Sequence, residues 1–461
     1  MALIAILWGG HAYMTRTITV PPAALEISRE TTYLTQPLTL DGRVDYLAAL
    51  NREPLPAPAE NAAVLIAKVL GRQAFAPHWN DVQTSLGAPR DLAATPLFTP
   101  RPEPLESFLR YPRDFGDEAQ NAALRSWLDS NARAFEVVHE ASRRPRLRWP
   151  TIRDPETHQL QRALPDAAWS DVLRAWVQRA LLTLKESQPE AGWRHMQTLL
   201  RLTVLMAETP DLWSRIRAYS LRDRAFQWIE HALAGAHLDA ALAATIQSDL
   251  QTLRPLPTLD LDVLGVERLR LLGTHTATVR QAILDEGGDP DWHPANVALD
   301  AALREVNLAY DVQASALRAT PEESLEPSRH ATLQRAATAR DWERRLDALE
   351  AEGANLNSRR AGRLAGYGMA EISLRLAPFL LERTLADEAE RKQLLVALAL
   401  RRYEQAHGTF PGRLAHLDPQ LRNDLDVDLS SFAYERDEDG CVLGGDEREI
   451  TIKKGLTTKP R

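Results

Sequence analysis

Chemistry in a protein needs acids, imidazoles or a nucleophile at workable spacing, and few stretches of this chain offer them. The loop "GGDPDWHPAN" (287–296) sets Asp289, Asp291 and His293 at alternate positions. In extended backbone alternate side chains share a side, so these three form a candidate set for a hard or borderline cation. The competing account is that Asp and Pro before a helix are ordinary turn and start residues. "DLDVDLSSFAYE" (424–435) places Asp424, Asp426, Asp428, Ser430 and Glu435 at positions 1, 3, 5, 7 and 12 of a calcium loop, but Leu429 stands where glycine must make the turn. An acidic approach to a β-strand is the expectation there. "HEASR" (139–143) opens like a zinc-protease helix but has Arg143 where a second imidazole is needed. Nucleophile-elbow, phosphate-loop, H-E-x-x-H and dinucleotide signatures are absent. No catalytic residue is therefore assigned, and no cofactor is expected.

Other conspicuous groups have a structural account beside the functional one. "RRPRLRWPTIR" (143–153) holds five Arg and Trp149. It suits an anionic polymer, or simply surface acids on an acidic protein, and the second account is preferred. Trp169 and Trp176 lie seven residues apart on one helix face. They suit a sugar platform, or packing between helices, which is far commoner. Asn307, Tyr310 and Asp311 share a face and would orient a ligand or satisfy one another between helices. Near the C-terminus "LALRRYEQAHGTFPGRLAHLDP" (398–419) clusters Tyr403, His407, His416 and Asp418 around Gly408 and Pro411. Gly408 fits the left-handed position after a helix and Pro411 prevents resumption, so this reads as a hinge.

The elements that must position these residues are mostly helical. The 461 residues, 44% apolar and 26% charged, suit a folded protein too long for one compact core. A net charge of −8 argues against a general nucleic-acid binder. The lone Cys441 can form neither an intrachain disulfide nor a CxxC zinc site. Thr31–Thr35 is expected to be extended, Val44–Asn51 a short helix, and Ala59–Leu70 a helix closed by Gly71. From about 117 to 407 apolar residues recur at three-to-four spacing. Helices are expected at Ala167–Ser187, Glu190–Glu208, Asp211–Ala236 and Ala240–Leu253, then at about 262–286, 294–319, 328–352 and 359–407, with Pro378 kinking or splitting the last. Connections as short as "TPD" imply antiparallel neighbours. The tail (427–455) alternates apolar and polar around Asp439-Gly440 and Gly444-Gly445, giving two or three short antiparallel strands.

The apolar run Met1–Trp8 is too short to span a bilayer, which takes roughly 20 residues. It is either a helix turn packed on the protein or the end of an anchor beginning upstream. "TRTITVPPAALEIS" after it reads as an extended tether. "TTYLTQPLTLDGRVDYLAALN", "ENAAVLIAKVLG" and "GWRHMQTLLRLTVLMAETPDLWSRIRAYSLRDRA" resemble a group of uncharacterised bacterial membrane-tethered extracytoplasmic proteins. That resemblance covers most of the chain and implies an envelope location but no activity. Tyr403, Gly408, Phe410, Pro411 and Leu414 are similar to a segment of type II secretion major pseudopilins, which implies only a long helix followed by a small sheet.

Together these readings predict a mainly α protein: an array of antiparallel helical hairpins with a small C-terminal α+β module. The expected divisions are an N-terminal tether (1–24), a mixed extended and helical region (25–116), a helical body (117–390) and the C-terminal module (391–461). The expected role is a structural or protein-interaction component of the bacterial envelope, anchored through its N-terminus and facing the periplasm or exterior, with other envelope proteins as partners. The alternative is an envelope hydrolase or metal-dependent enzyme using acids and His near 287–296.

Overall fold

The computed structural model describes residues 27–40, 42–89, 91–92, 95–100, 118–154, 159–257, 261–284, 299–318, 358–425, 427–445 and 448–454. The described part is mainly helical with a small C-terminal sheet.

Of the segment Thr31–Thr35, expected to be extended, residues 31–33 belong instead to a turn that begins at Ser28. They fold into turns, with Tyr33 at φ +61°. The hydroxyls that favour a strand here serve the local backbone instead: Thr32 Oγ1 donates to the Ser28 carbonyl at 2.8 Å, and the Ser28 N–H donates to Thr31 Oγ1 at 3.1 Å. The turn is held down from outside. Asn307 Nδ2 donates to the carbonyls of Glu30 and Thr31, both at 2.9 Å, and Arg268 lies 3.9 Å over the Tyr33 ring.

Helix α1 (Tyr46–Leu50) starts at an Asp45 cap, and α2 (Ala62–Leu70) at Asn61, whose side chain accepts from the Ala63 N–H. Gly71 ends α2 at φ +75°, and a Cβ there would lie 2.7 Å from Pro96. The proline-rich loop packs this close because the N–H groups of Leu97 and Phe98 both donate to the Val69 carbonyl. A short α3 (Trp79–Ser85) follows. The apolar period beyond residue 117 is divided at Asn131 into α4 (Glu118–Ser130) and α5 (Ala132–Ala141). The Asn131 side chain accepts from Thr99 N–H and donates to the Trp127 carbonyl, clamping the 95–100 loop onto the break.

The arginine-rich break holds a two-stranded antiparallel hairpin, β1 (Thr151–Arg153) and β2 (Leu160–Arg162), with Ile152 opposite Gln161. Four helices follow within a residue or two of the expected positions: α6 (Asp166–Lys185), α7 (Pro189–Ala207), α8 (Leu212–Ala234) and α9 (Ala240–Thr252). Antiparallel α6–α7 and α7–α8 hairpins bring α6 and α8 together as parallel neighbours. Gly192 in α7 lets Trp228 of α8 approach closely; a Cβ there would sit 2.6 Å from the indole. Trp228 then donates to the Ala180 carbonyl of α6 at 3.0 Å, so one side chain binds three helices. α10 (Leu261–Leu284) and α11 (Leu299–Arg318) precede α12 (Ser358–His407). α12 runs helical through Pro378, so the proline does not split it.

The C-terminal sheet has strand order β3 (Ala433–Arg436), β4 (Gly440–Gly444), β5 (Glu449–Lys453), all antiparallel. β5 alternates exposed and buried, setting Ile450 and Ile452 inward. The sheet is fastened to α12 by buried polar groups. Gln393 Nε2 donates to the carbonyls of Leu443 and Arg448. Arg401, paired with Glu404, donates to the carbonyls of Leu238 and Lys453. One cluster of buried apolar residues runs from Val44 to Ile452.

Gly408 ends α12 at φ +72°, its N–H donating to the Glu404 carbonyl at 2.7 Å. After a short turn at Leu414–His416, Pro419 starts α13 (Pro419–Leu425), since its missing N–H is not needed in a first turn. Space around Gly408 is open, so only backbone strain opposes a side chain there. Gly408→Ala should lower stability by about 1 kcal/mol. An unchanged urea midpoint would contradict this account of the hinge.

Candidate functional site

The densest charged constellation surrounds the start of α8. Asp211 caps that helix by accepting from the Ser214 N–H at 3.0 Å and its hydroxyl at 2.5 Å. The same carboxylate pairs with Arg162 of β2 and, at 2.8 Å, with Arg270 of α10. Arg270 also meets Glu267 at 3.0 Å, and Glu267 accepts from the Leu212 N–H. Asp211, Glu267 and the two arginines are all largely or fully enclosed. Burial is the largest effect on Asp211 and pushes its carboxyl up. Arg162, Arg270 and the Ser214 hydrogen bond outweigh it and hold the group at about 2. For Glu267 burial prevails over Arg270, with Asp211 adding repulsion, so its carboxyl is raised.

From this hub the charge runs outward. Arg162 reaches Asp166 at 2.6 Å, and Asp166 takes Arg217 of α8 at 2.7 Å. Beyond Arg217 a cleft of about 210 Å³ opens between α6 and α8. Its apolar walls are Leu173, Val177 and Leu221. Its polar walls are Ser170, Gln178 and Ser220, with Arg174, Arg217 and Arg224. No acidic residue lines it. Arg174 pairs with Asp171 and Arg217 with Asp166, while Arg224 donates to the neutral Gln227 amide at 3.0 Å. Trp213, 53% exposed, lies one helical turn before Arg217. Positions 213, 217, 220 and 224 recur at four-three-four spacing, so Trp213, Arg217, Ser220 and Arg224 share one stripe of α8. That spacing is readable in the sequence. Its alignment with Ser170, Arg174 and Gln178 of α6 is not, because α7 intervenes.

The residues singled out in the sequence fare differently. Asp289, Asp291 and His293 lie outside the described residues, as does Asp426. Asn307 and Asp311 do come together: Arg268 donates to Asn307 Oδ1 and to Asp311 Oδ1, at 2.8 and 2.9 Å. Tyr310 is buried beside them, with Arg268 5.9 Å from its ring centre, so Arg268 of α10 orders this face, and Asn307 pins the N-terminal turn. Arg144 pairs with Glu140 and Arg148 with Glu53, while Trp149 is buried and stacked on Phe75. Trp169 and Trp176 are core residues. Asp428 accepts from the Ser430 N–H and caps a short turn at Leu429–Ser431. His139 Nδ1 meets Thr198 Oγ1 at 2.8 Å. Tyr403 and His407 stack 4.2 Å apart, and His407 reaches Asp418 at 3.2 Å, within the hinge. Cys441 is buried against Tyr434, and its thiol is pushed up to about 12 chiefly by that burial.

Among the described residues no group of three or more His, Cys, Asp or Glu is arranged to hold a metal ion. Nor, among them, is any helix long and apolar enough to cross a membrane. Comparison with protein-family models, curated proteins and solved structures finds no match for this chain.

The hub has a pH signature. The folded-state value of Asp211, about 2, lies below its ordinary 3.8. Its stabilisation is therefore complete above about pH 4 and is lost as pH falls through about 2. Asp211→Asn should cost roughly 3–5 kcal/mol near neutrality, because Arg162 and Arg270 lose a buried partner. The gap between wild type and variant should narrow as pH drops below about 4. Urea unfolding across that range is the check, and a pH-independent gap would contradict it.

Proposed function

We propose that this chain is a helical scaffold of the bacterial cell envelope that binds another protein rather than performing catalysis. The observation that carries the reading is the exposed Trp213 in line with Arg217 and Arg224, beside an apolar-floored cleft. Trp and Arg are the residues most enriched where binding energy concentrates at protein interfaces. A half-exposed indole has no role in the core, whereas Trp169, Trp193 and Trp228 are fully buried. The framework behind it is stiff. Trp228 joins α6 to α8, and the Asp211 hub anchors the first turn of α8 to β2 and α10. A surface held that firmly loses little freedom when a partner docks.

Envelope location belongs to the same proposal. It is supported by the resemblance of the "TTYLTQPLTLDGRVDYLAALN" opening and by the apolar Met1–Trp8 run. Other envelope proteins are the partners expected.

A photo-crosslinking residue at position 213 should trap a discrete adduct in cells, in the membrane or extracytoplasmic fraction. The same residue at Arg133, exposed on α5, should not. Identical adducts from both positions, or none from 213, would overturn the binding half. Recovery of the full chain in the cytosol alone would overturn the location half.

A further inference from the structure

The cleft between α6 and α8 also speaks to the partner's chemistry, an inference that rests on the binding role proposed above. We infer that it takes a short amphipathic helical segment of a partner protein, with acidic residues flanking an apolar face.

Size comes first. At about 210 Å³ the cleft is below the roughly 300–1,000 Å³ of pockets that enclose metabolites. It suits one or two aliphatic side chains entering from outside. Its wall from Ser170 to Gln178 covers eight residues of rise, about 12 Å, or two helical turns. An amphipathic helix laid between two parallel helices presents side chains at i, i+3, i+4 and i+7, which matches that length. Leu173, Val177 and Leu221 are almost fully buried and form only the floor, so the guest's apolar face would pack chiefly on the half-exposed Trp213, one helical turn before Arg217.

Charge sets the flanks. The chain carries −8 overall, yet the cleft is lined by three arginines and no acid. Arg174 and Arg217 are shared with Asp171 and Asp166, so they offer their remaining donors. Among the described residues Arg224 meets a neutral amide, and its charge is available to an incoming carboxylate. Guanidinium groups on both helices select carboxylates on both flanks of the guest, because each presents a planar fork of donors. At contact, Arg224 favours a carboxylate over an ammonium group.

The test uses the full chain and a fluorescein-labelled amphipathic peptide with Leu on one face and Glu on its flanks. Fluorescence anisotropy should show saturable binding that weakens as salt is raised. The same peptide with Lys for Glu should not bind. Arg174→Glu combined with Arg224→Glu should weaken binding more than about tenfold, with an unchanged melting temperature. Should that variant fail to fold, Ser220→Trp, which fills the cleft without touching the hub, should abolish binding instead. Absence of binding to the acidic peptide, or equal binding by wild type and folded variant, would overturn the inference. Full displacement by millimolar inorganic phosphate would also overturn it, in favour of a small-anion site. A crosslink at position 213 without affinity for the acidic peptide would leave the binding role standing and remove only this inference.

Discussion

The fold turns on one buried carboxylate. Asp211 must cap α8, and it must also neutralise Arg162 and Arg270, which arrive from β2 and α10. Charges removed from water are tolerated only when paired and hydrogen-bonded, so these three elements can meet in one arrangement. Glu267 adds a second acid to the same cluster, its carboxyl raised by burial against the pull of Arg270 and Arg162.

Two other contacts extend that order. Trp228 fits against Gly192 and reaches the Ala180 carbonyl, which sets the spacing of α6, α7 and α8. That spacing leaves α6 and α8 close enough to share a cleft and too far apart for their side chains to fill it. At the far end Arg401 and Gln393 tie the sheet to α12 through backbone carbonyls, where sequence is immaterial and shape decides. Arg222 and Asp387 make a further buried pair at 2.9 Å between α8 and α12. Long-range pairs of this kind join helices that are distant in the chain.

Much of the helical order was legible in the residues. α6 to α9 lie within a residue or two of their expected bounds because apolar period, Asp211, Asp239 and the short loops agree. Residues 31–33 were misread as extended because threonine favours strands by shape, yet its hydroxyl can close a turn locally. The β1–β2 hairpin was missed because three-residue strands carry almost no alternation. Pro378 was expected to kink or split the last helix, and α12 is not split there. Of the site, nothing was singled out from the residues, although the four-three-four spacing of Trp213, Arg217, Ser220 and Arg224 on α8 could have marked one stripe. Its counterpart on α6 could not be picked out, because nothing local says which helices become neighbours.

By itself the sequence determined what depends on near neighbours: helix extents, caps at Asn61, Asp211 and Asp239, the left-handed end at Gly408, and the strands after it. These follow from backbone hydrogen bonding and apolar period over a few residues. Only the tertiary structure decided that Asp211 is a hub as well as a cap, that the conspicuous tryptophans 149, 169 and 176 belong to the core while Trp213 does not, and that arginines from α6 and α8 face a common cleft. Burial and charge pairing depend on which distant segments meet, and that is settled by the packing of the whole chain.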